Sequence, residues 1–401
     1  MRSIGFFVLA LIQFNLVSAD AEHFYASPAY ETGDLGGWPQ QLYKSSPVIG
    51  PVLNYMQKSE QCYSHGGYTM ITPRGNSVPM PGPMIVDDRG NLVWTKNYGR
   101  AYDLKVQQYR GEDYLTFWIG KEIDGYGNGS HYMLDSSYRE AYMINGSNGQ
   151  AADFHEFRIT NDDTAIFTVY RVVQADLSSL GGPNKGYLLD CGFQEIDVEA
   201  QSLLFEWWAS DHFTIDEAYQ SLQGSGTNEE MAWDWFHINS VDKHPSGNYL
   251  VSSRFLKCLA YINATAGDII WKLGGKHNMF TDLSDGGATN ISWQHDARFQ
   301  DNGAAITLFD NAARGINSSA AAPDDNISRG LYLDVDVEEL VAKVRHSYWS
   351  SQGIISISQG SIQVLENENR VITSSLKEIK CMLAGMAQPK SRPGSWKVQK
   401  I

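Results

Sequence analysis

Three stretches of this 401-residue chain share one layout: HEFRITNDDTAIFTVYR (155–171), HINSVDKHPSGNYLVSSR (237–254) and HDARFQDNGAAITLFDN (295–311). Each opens on histidine, alternates apolar and polar residues, turns on Asn, Asp or Gly, and closes on an apolar β-rich run. That is the pattern of a hairpin. A second hairpin pattern follows each one: FQEIDVEAQSLLFEW (193–207), CLAYINATAGDIIWK (258–272) and LYLDVDVEELVAKVR (331–345). Fainter versions lie at 84–96, 103–118, 138–150 and 359–375. Two hairpins make a four-stranded antiparallel meander, and a unit this small must pack on its neighbours to bury its apolar face. Recurrence at about 60 to 80 residues predicts an all-β chain: a six-bladed β-propeller of four-stranded antiparallel blades, with five blades readable and the last undefined. A pair of β-sandwiches would also hold many short strands, but it gives no reason for histidine at the head of each repeat. Residues 212–232, with TIDEAYQSLQ, read as a short helix between strands, and 312–330 as an exposed loop.

Equivalent residues of successive blades ring the axis, so His155, His237 and His295 are expected to face one central space, with Gln359 in the matching place of the next unit. A lone histidine is more often a buried structural residue; one chemical type at three equivalent positions favours function. His237 and Asn239 are two apart and should share a face of a strand. Arg254 ends the partner strand of that hairpin and returns beside them, either as an oxyanion-binding cation or as a salt-bridge partner of Asp234. Trp233, Trp235 and Trp293, with Phe236, flank these residues as inter-blade packing or as a flat wall for an aromatic ligand. Asp296 follows His295 directly and should face the other way. Three histidines from separate blades lack a close pair of the kind that grips zinc, so no metal is assigned. There is no nucleophile-elbow serine and no phosphate loop, so no cofactor is assigned either; KLGGKHNMF (272–280) reads as a turn.

The net charge of −15 excludes a phosphate-backbone binder, so nucleic acid is not an expected partner. Met1-Arg2, an apolar run from Ile4 to Val17 and the small residues of Val17-Ser18-Ala19 read as a secretory signal peptide over 1–19, too short for a membrane span. Sequons at Asn128, Asn145, Asn263, Asn290, Asn317 and Asn326 agree with a secreted or lumenal glycoprotein. Cys62, Cys191, Cys258 and Cys381 allow three pairings that sequence does not separate.

FHIN…GNYLVSSR, TAGDIIWKLGG and QHDARF…ITLFDN resemble the arylsulfotransferase-like propeller family in its fungal branch, from about residue 60 to 370. The resemblance implies a six-bladed propeller with its site in the central channel. It places the family's sulfate-carrying histidine on His295, its H-x-N pair on His237 and Asn239, its arginine on Arg254 and an upstream histidine on His155. The domain boundaries that follow are 1–19 leader, 20–370 propeller and 371–401 a divergent C-terminal segment, which does not resemble the family's last blade.

Two chemistries are implied. Bacterial members pass sulfate between phenols through a sulfo-histidine. Fungal relatives include tropolone–sesquiterpenoid enzymes that form an ortho-quinone methide and guide its hetero-Diels–Alder addition to a terpene alkene. Both stabilise a phenolate, handle protons and exclude water. The leading expectation is the second: a cofactor-independent meroterpenoid cyclase acting on a phenolic substrate with a terpene co-substrate. His155, His237 and His295 would move protons, and Asn239 and Arg254 would hold the phenolate. Aryl sulfotransfer and a non-catalytic ligand-binding propeller are the alternatives.

Overall fold

Short β-rich runs joined by turns at Gly and Asn leave this chain little choice but antiparallel pairing, and the inner strands, such as Tyr249–Ser253 and Ala305–Asp310, are buried on both faces. The turn at 244–247 shows how the hairpins close. The His244 carbonyl accepts from the N–H of Gly247, whose φ of 95° suits a residue without Cβ. The computed structural model describes residues 24–25, 28–55, 68–87, 89–313, 327–349, 355–364, 370–373 and 379–382. The leader, Cys62, the sequons at Asn317 and Asn326, most of the loop expected at 312–330 and the end of the chain lie outside these residues, as does the side chain of Cys381.

The architecture is all-β. Four-stranded antiparallel meanders run over residues 101–144, 152–208, 238–274 and 295–349, with three-stranded sheets at 68–95 and 361–382. The first two meanders count as one larger sheet only because Gly129 pairs with Ala152. No described sheet closes on itself. Arg370–Thr373 and Ile379–Met382 pair behind Ser361–Val364, so the start of the divergent C-terminal segment continues the last sheet. Among the described residues no helix is long and apolar enough to cross a membrane.

Aromatic residues fill the spaces between sheets. Trp207, Trp233, Trp235, Phe193, Phe213 and Phe236 are buried in one core, and Trp271 with Phe280 in the next. Cys191 and Cys258 are buried free thiols, so they do not form a disulfide with each other.

The leading strands Ala101–Tyr109, Ala152–Ile159, Ile238–Lys243 and His295–Gln300 are stitched to one another by side chains rather than by ladders. Asp103 Oδ2 accepts the N–H of Phe157 (3.1 Å), Glu156 Oε2 that of Val241 (3.2 Å), and Asp242 Oδ2 that of Phe299 (2.8 Å). Ion pairs run through the same strands. Arg298 meets Glu156 (2.5 Å) and Asp296 (2.6 Å), and Lys105 meets Glu156 (3.2 Å) and Asp103 (2.9 Å). Asp296 therefore points away from His295 into this network, as its place on the strand predicts.

The short helix expected within 212–232 is not formed. Thr214 and Glu217 make a capping box that starts a 3₁₀ turn over Ile215–Glu217, but Ala218 is already extended and the Tyr219 N–H bonds the Phe255 carbonyl. Tertiary pairing pulls the chain straight before a helix can propagate. The exposed loop also starts later than expected, because Ala312 and Ala313 are buried.

Candidate active site

Every complete meander carries a β-bulge at the head of its leading strand. The pairing shifts register between Tyr102 and Lys105, Ala152 and Phe157, Ile238 and Ser240, and His295 and Arg298. A bulge re-aims the side chains at its position, and here it turns the repeat histidines out of the sheet faces. It also breaks the alternation by which His237 and Asn239 would share a face.

The His155 and His237 rings meet edge to face with centroids 4.9 Å apart. Each has its Nδ1 on a carboxylate: His155 on Asp153 Oδ2 at 2.7 Å and His237 on Asp234 Oδ2 at 2.5 Å. A carboxylate accepts only, so each Nδ1 carries the proton and each Nε2 is the working atom. Asp153 is fully buried and also accepts from the N–H groups of His155 and Gly127 and from the Thr168 hydroxyl. Burial opposes its ionisation, but the His155 charge and these hydrogen bonds win and hold its carboxyl below the usual range. For His237, burial outweighs Asp234 and, with the nearby His155 and Arg254 charges, pushes its pKa down.

His295 differs. Its Nδ1 lies 2.7 Å from Asn311 Oδ1, an amide rather than a carboxylate. The Asn311 amide nitrogen donates to the carbonyls of Ser356 (2.9 Å) and Gln359 (2.8 Å), so its orientation is fixed and its oxygen must face His295. Nδ1 of His295 is therefore the N–H, and Nε2 keeps its lone pair, toward which the Gln359 N–H points at 3.2 Å. Burial first, then the Arg254 charge, drives the His295 pKa well below its ordinary value.

The other expected residues divide into two groups. Arg254 returns beside His237 as the hairpin predicts, its N–H on the His237 carbonyl (3.0 Å) and its guanidinium donating to the Ile357 carbonyl (2.9 Å). That guanidinium also stacks on Phe255 (4.9 Å) and Trp293 (5.5 Å). Asp234 is taken by His237. Trp293 belongs to the site through Phe255, whose ring lies 5.9 Å from it and 4.8 Å from His237. Trp233 and Trp235 are buried in the inter-sheet core and serve packing. Asn239 donates to the Gln294 carbonyl (2.6 Å) and so braces the residue before His295. Gln359 contributes its backbone to His295 and its side chain to Arg74 (3.3 Å).

Sequence reasoning missed Asp153, Asp234 as a histidine partner, Asn311, Arg74, Tyr102 and Phe154. The contacts close into a circuit: His295 to Gln359, Gln359 to Arg74, Arg74 over Tyr102 (3.9 Å), Tyr102 on Phe154 (4.5 Å), Phe154 by His155 (4.5 Å), and His155 by His237. Among the sequons, Asn128, Asn145 and Asn290 are exposed, while Asn263 is half-buried and caps its own turn through Thr265 and Ala266.

A family model described as Arylsulfotransferase (ASST) matches residues 105–377. No curated protein matches the sequence. Among solved structures, a Bacteroides caccae protein of unknown function shares 13% identity over 77% of this chain and 82% of its own, with a TM-score of 0.44. Kuenenia stuttgartiensis hydrazine synthase shares 12% over 76% and 77%, with a TM-score of 0.42. The Malassezia sympodialis allergen Mala s 1 shares 8% over 74% and 81%, with a TM-score of 0.41. These likenesses are too slight to bear on function.

Proposed function

The chain belongs to the arylsulfotransferase family, and from that membership we propose that it passes a sulfuryl group from one phenolic ester to another phenol through His295. The observation that supports this reading is the tautomer of His295: an amide-held Nδ1–H and, on Nε2, a lone pair held only by the Gln359 N–H at 3.2 Å, which yields as sulfur approaches, in a ring that burial and Arg254 keep neutral at pH 7.

In the first half-reaction Nε2 attacks the ester sulfur and the bond from sulfur to the aryl oxygen breaks. The phenolate departs with that electron pair and takes a proton from the Asp153-paired imidazole of His155. In the second, His237, neutral in the resting site, takes the proton of the incoming phenol, whose oxygen attacks sulfur, and hands it across the edge-to-face contact to His155. The N–S bond breaks and its electrons return to Nε2. Asp153 and Asp234 stabilise the imidazolium forms, Arg254 offsets charge on the transferring oxygens, and Trp293, Phe255 and Phe154 flank the aromatic rings. Asn239 acts by fixing the backbone that carries His295.

The same acid–base pair and aromatic walls would serve an ortho-quinone methide and a terpene alkene. That hetero-Diels–Alder reaction asks for no neutral, amide-held nucleophile, and a ligand-binding propeller without chemistry asks for none either. Sulfotransfer is therefore the preferred reading. The test is incubation with 4-nitrophenyl sulfate and phenol. Acceptor-dependent release of 4-nitrophenolate, a sulfated His295 peptide by mass spectrometry, and loss of both in a folded His295→Asn variant are expected. Absence of both exchange and the sulfated peptide in the native chain would overturn the reading.

The same proposal takes the four meanders and the two three-stranded sheets as blades of one ring and residues 1–19 as a secretory leader, with the exposed Asn128, Asn145 and Asn290 glycosylated. An experimental structure with the 361–382 sheet remote from the 68–95 sheet would sink the ring. Unprocessed, unmodified protein from a eukaryotic secretory host would sink the route.

A further inference from the structure

Arg74 and Tyr102 both precede the residues that the family model matches, yet they complete the circuit around the histidines. We propose that they form an outer anion-binding subsite, selecting phenols that carry a second acidic substituent on the ring, a carboxylate or sulfonate, away from the reacting oxygen. The proposal rests on the assignment of His295 as the reacting centre.

The Arg74 guanidinium lies flat over the Tyr102 ring, 3.9 Å from its centroid. Its hydrogen-bond partners are neutral: Gln359 Oε1 at 3.3 Å, and the carbonyl and hydroxyl of Thr72 at 3.3 and 3.4 Å. Among the described residues no carboxylate pairs with it; the neighbouring Glu122 is held by the Tyr102 hydroxyl (2.6 Å) and by Arg100 (3.6 Å), so Tyr102 offers its ring and Arg74 alone offers charge. A half-buried arginine stacked on an aromatic face and bonded only to uncharged groups is pre-oriented and keeps its charge for a ligand. Arg254, by contrast, acts on His295 directly.

Position assigns the two cations different jobs. Gln359 bonds His295 through its backbone and Arg74 through its side chain, so Arg74 stands one residue's breadth beyond the reacting nitrogen. Arg74 is thus placed to meet a part of the substrate other than the group on Nε2. On the other side Tyr102 stacks on Phe154 (4.5 Å, 19° between planes), which continues the aromatic wall to His155. A ring lying along this wall with its phenolic oxygen at the imidazoles presents its far substituent to Arg74.

The probes are 4-hydroxybenzoate and its methyl ester, which differ in one charge, titrated calorimetrically into the full chain. The native chain is expected to prefer the acid. Arg74→Gln should lower the ratio of acid to ester affinity by about 10-fold, as loss of one charge-assisted contact implies, and Arg74→Lys should restore part of it. An unchanged ratio in a folded Arg74→Gln variant, or no preference in the native chain, overturns the subsite. Because the readout is binding, it remains decisive if no sulfate exchange is found. Conversely, exchange through His295 with no charge preference overturns the subsite alone.

Discussion

Asn311 Oδ1 accepts the Nδ1 proton of His295 at 2.7 Å, the place that a carboxylate takes for His155 and His237. A neutral acceptor fixes the tautomer without favouring the imidazolium. Asn311→Asp would favour it, raising the His295 pKa and moving the acid limb of the rate profile upward. An upward shift of about one pH unit, with an about 10-fold loss near the new limb, is expected; a pH–rate profile of the variant checks it.

Asp234→Asn tests the other kind of pairing. The His237 ring loses its carboxylate and with it the fixed Nδ1–H, so proton transfer at Nε2 should slow by about 100-fold while binding of the sulfate ester changes little. Steady-state kcat and equilibrium titration of the ester separate the two.

Glu156 has no exposed surface and holds Arg298, Lys105 and the Val241 N–H at once. Glu156→Gln removes the charge that Arg298 and Lys105 share and one of the two oxygens binding them and the Val241 N–H, leaving Arg298 with Asp296 and Lys105 with Asp103, and should cost about 3 kcal/mol by urea unfolding. Burial opposes its ionisation, but Arg298 and Lys105 prevail and hold its pKa at about 2. The folded value lies below the unfolded one, so this contribution is complete above the unfolded value. It is lost as pH falls toward about 2.

His131 is fully buried and stacked on Phe157 at 4.4 Å, and neither ring nitrogen makes a well-formed hydrogen bond among the described residues. Burial pushes its pKa down to about 3, so the unfolded chain binds a proton there that the folded chain refuses. Stability is therefore present above the ordinary histidine value and lost as pH falls below it, by about 2 to 3 kcal/mol near pH 4.5. His131→Phe should remove that loss. An acid-unfolding midpoint that does not move downward in the variant would refute this account.

The hairpins were legible because turn chemistry and period two are local properties: the runs at 193–207, 258–272 and 331–345 are each paired as read. The bulges were not, since nothing in a strand's composition marks where register slips. The Asp153 and Asp234 partners were visible as D-x-H and D-x-x-H, but only a bulge makes an acid so near in sequence reach the ring. Asn311 could have been found. It closes the 295–311 hairpin just as Arg254 closes 237–254, and the same return argument places it beside His295. Arg74 lay beyond local reasoning, because its partners are distant in sequence: Tyr102 on the Ala101–Tyr109 strand and Gln359 in the loop before Ser361–Val364.

Asp103, His237, Asp296 and Gln359 all hold left-handed backbone, with φ from 53° to 59°. For residues with a Cβ that posture costs about 1 kcal/mol or more apiece. Glycine would relax the kinks at His237 and Gln359 and erase the side chains they present, so variants that gain thermal tolerance at these two points should lose turnover or its selectivity. There the tension in the polypeptide and the chemistry it performs occupy the same residues.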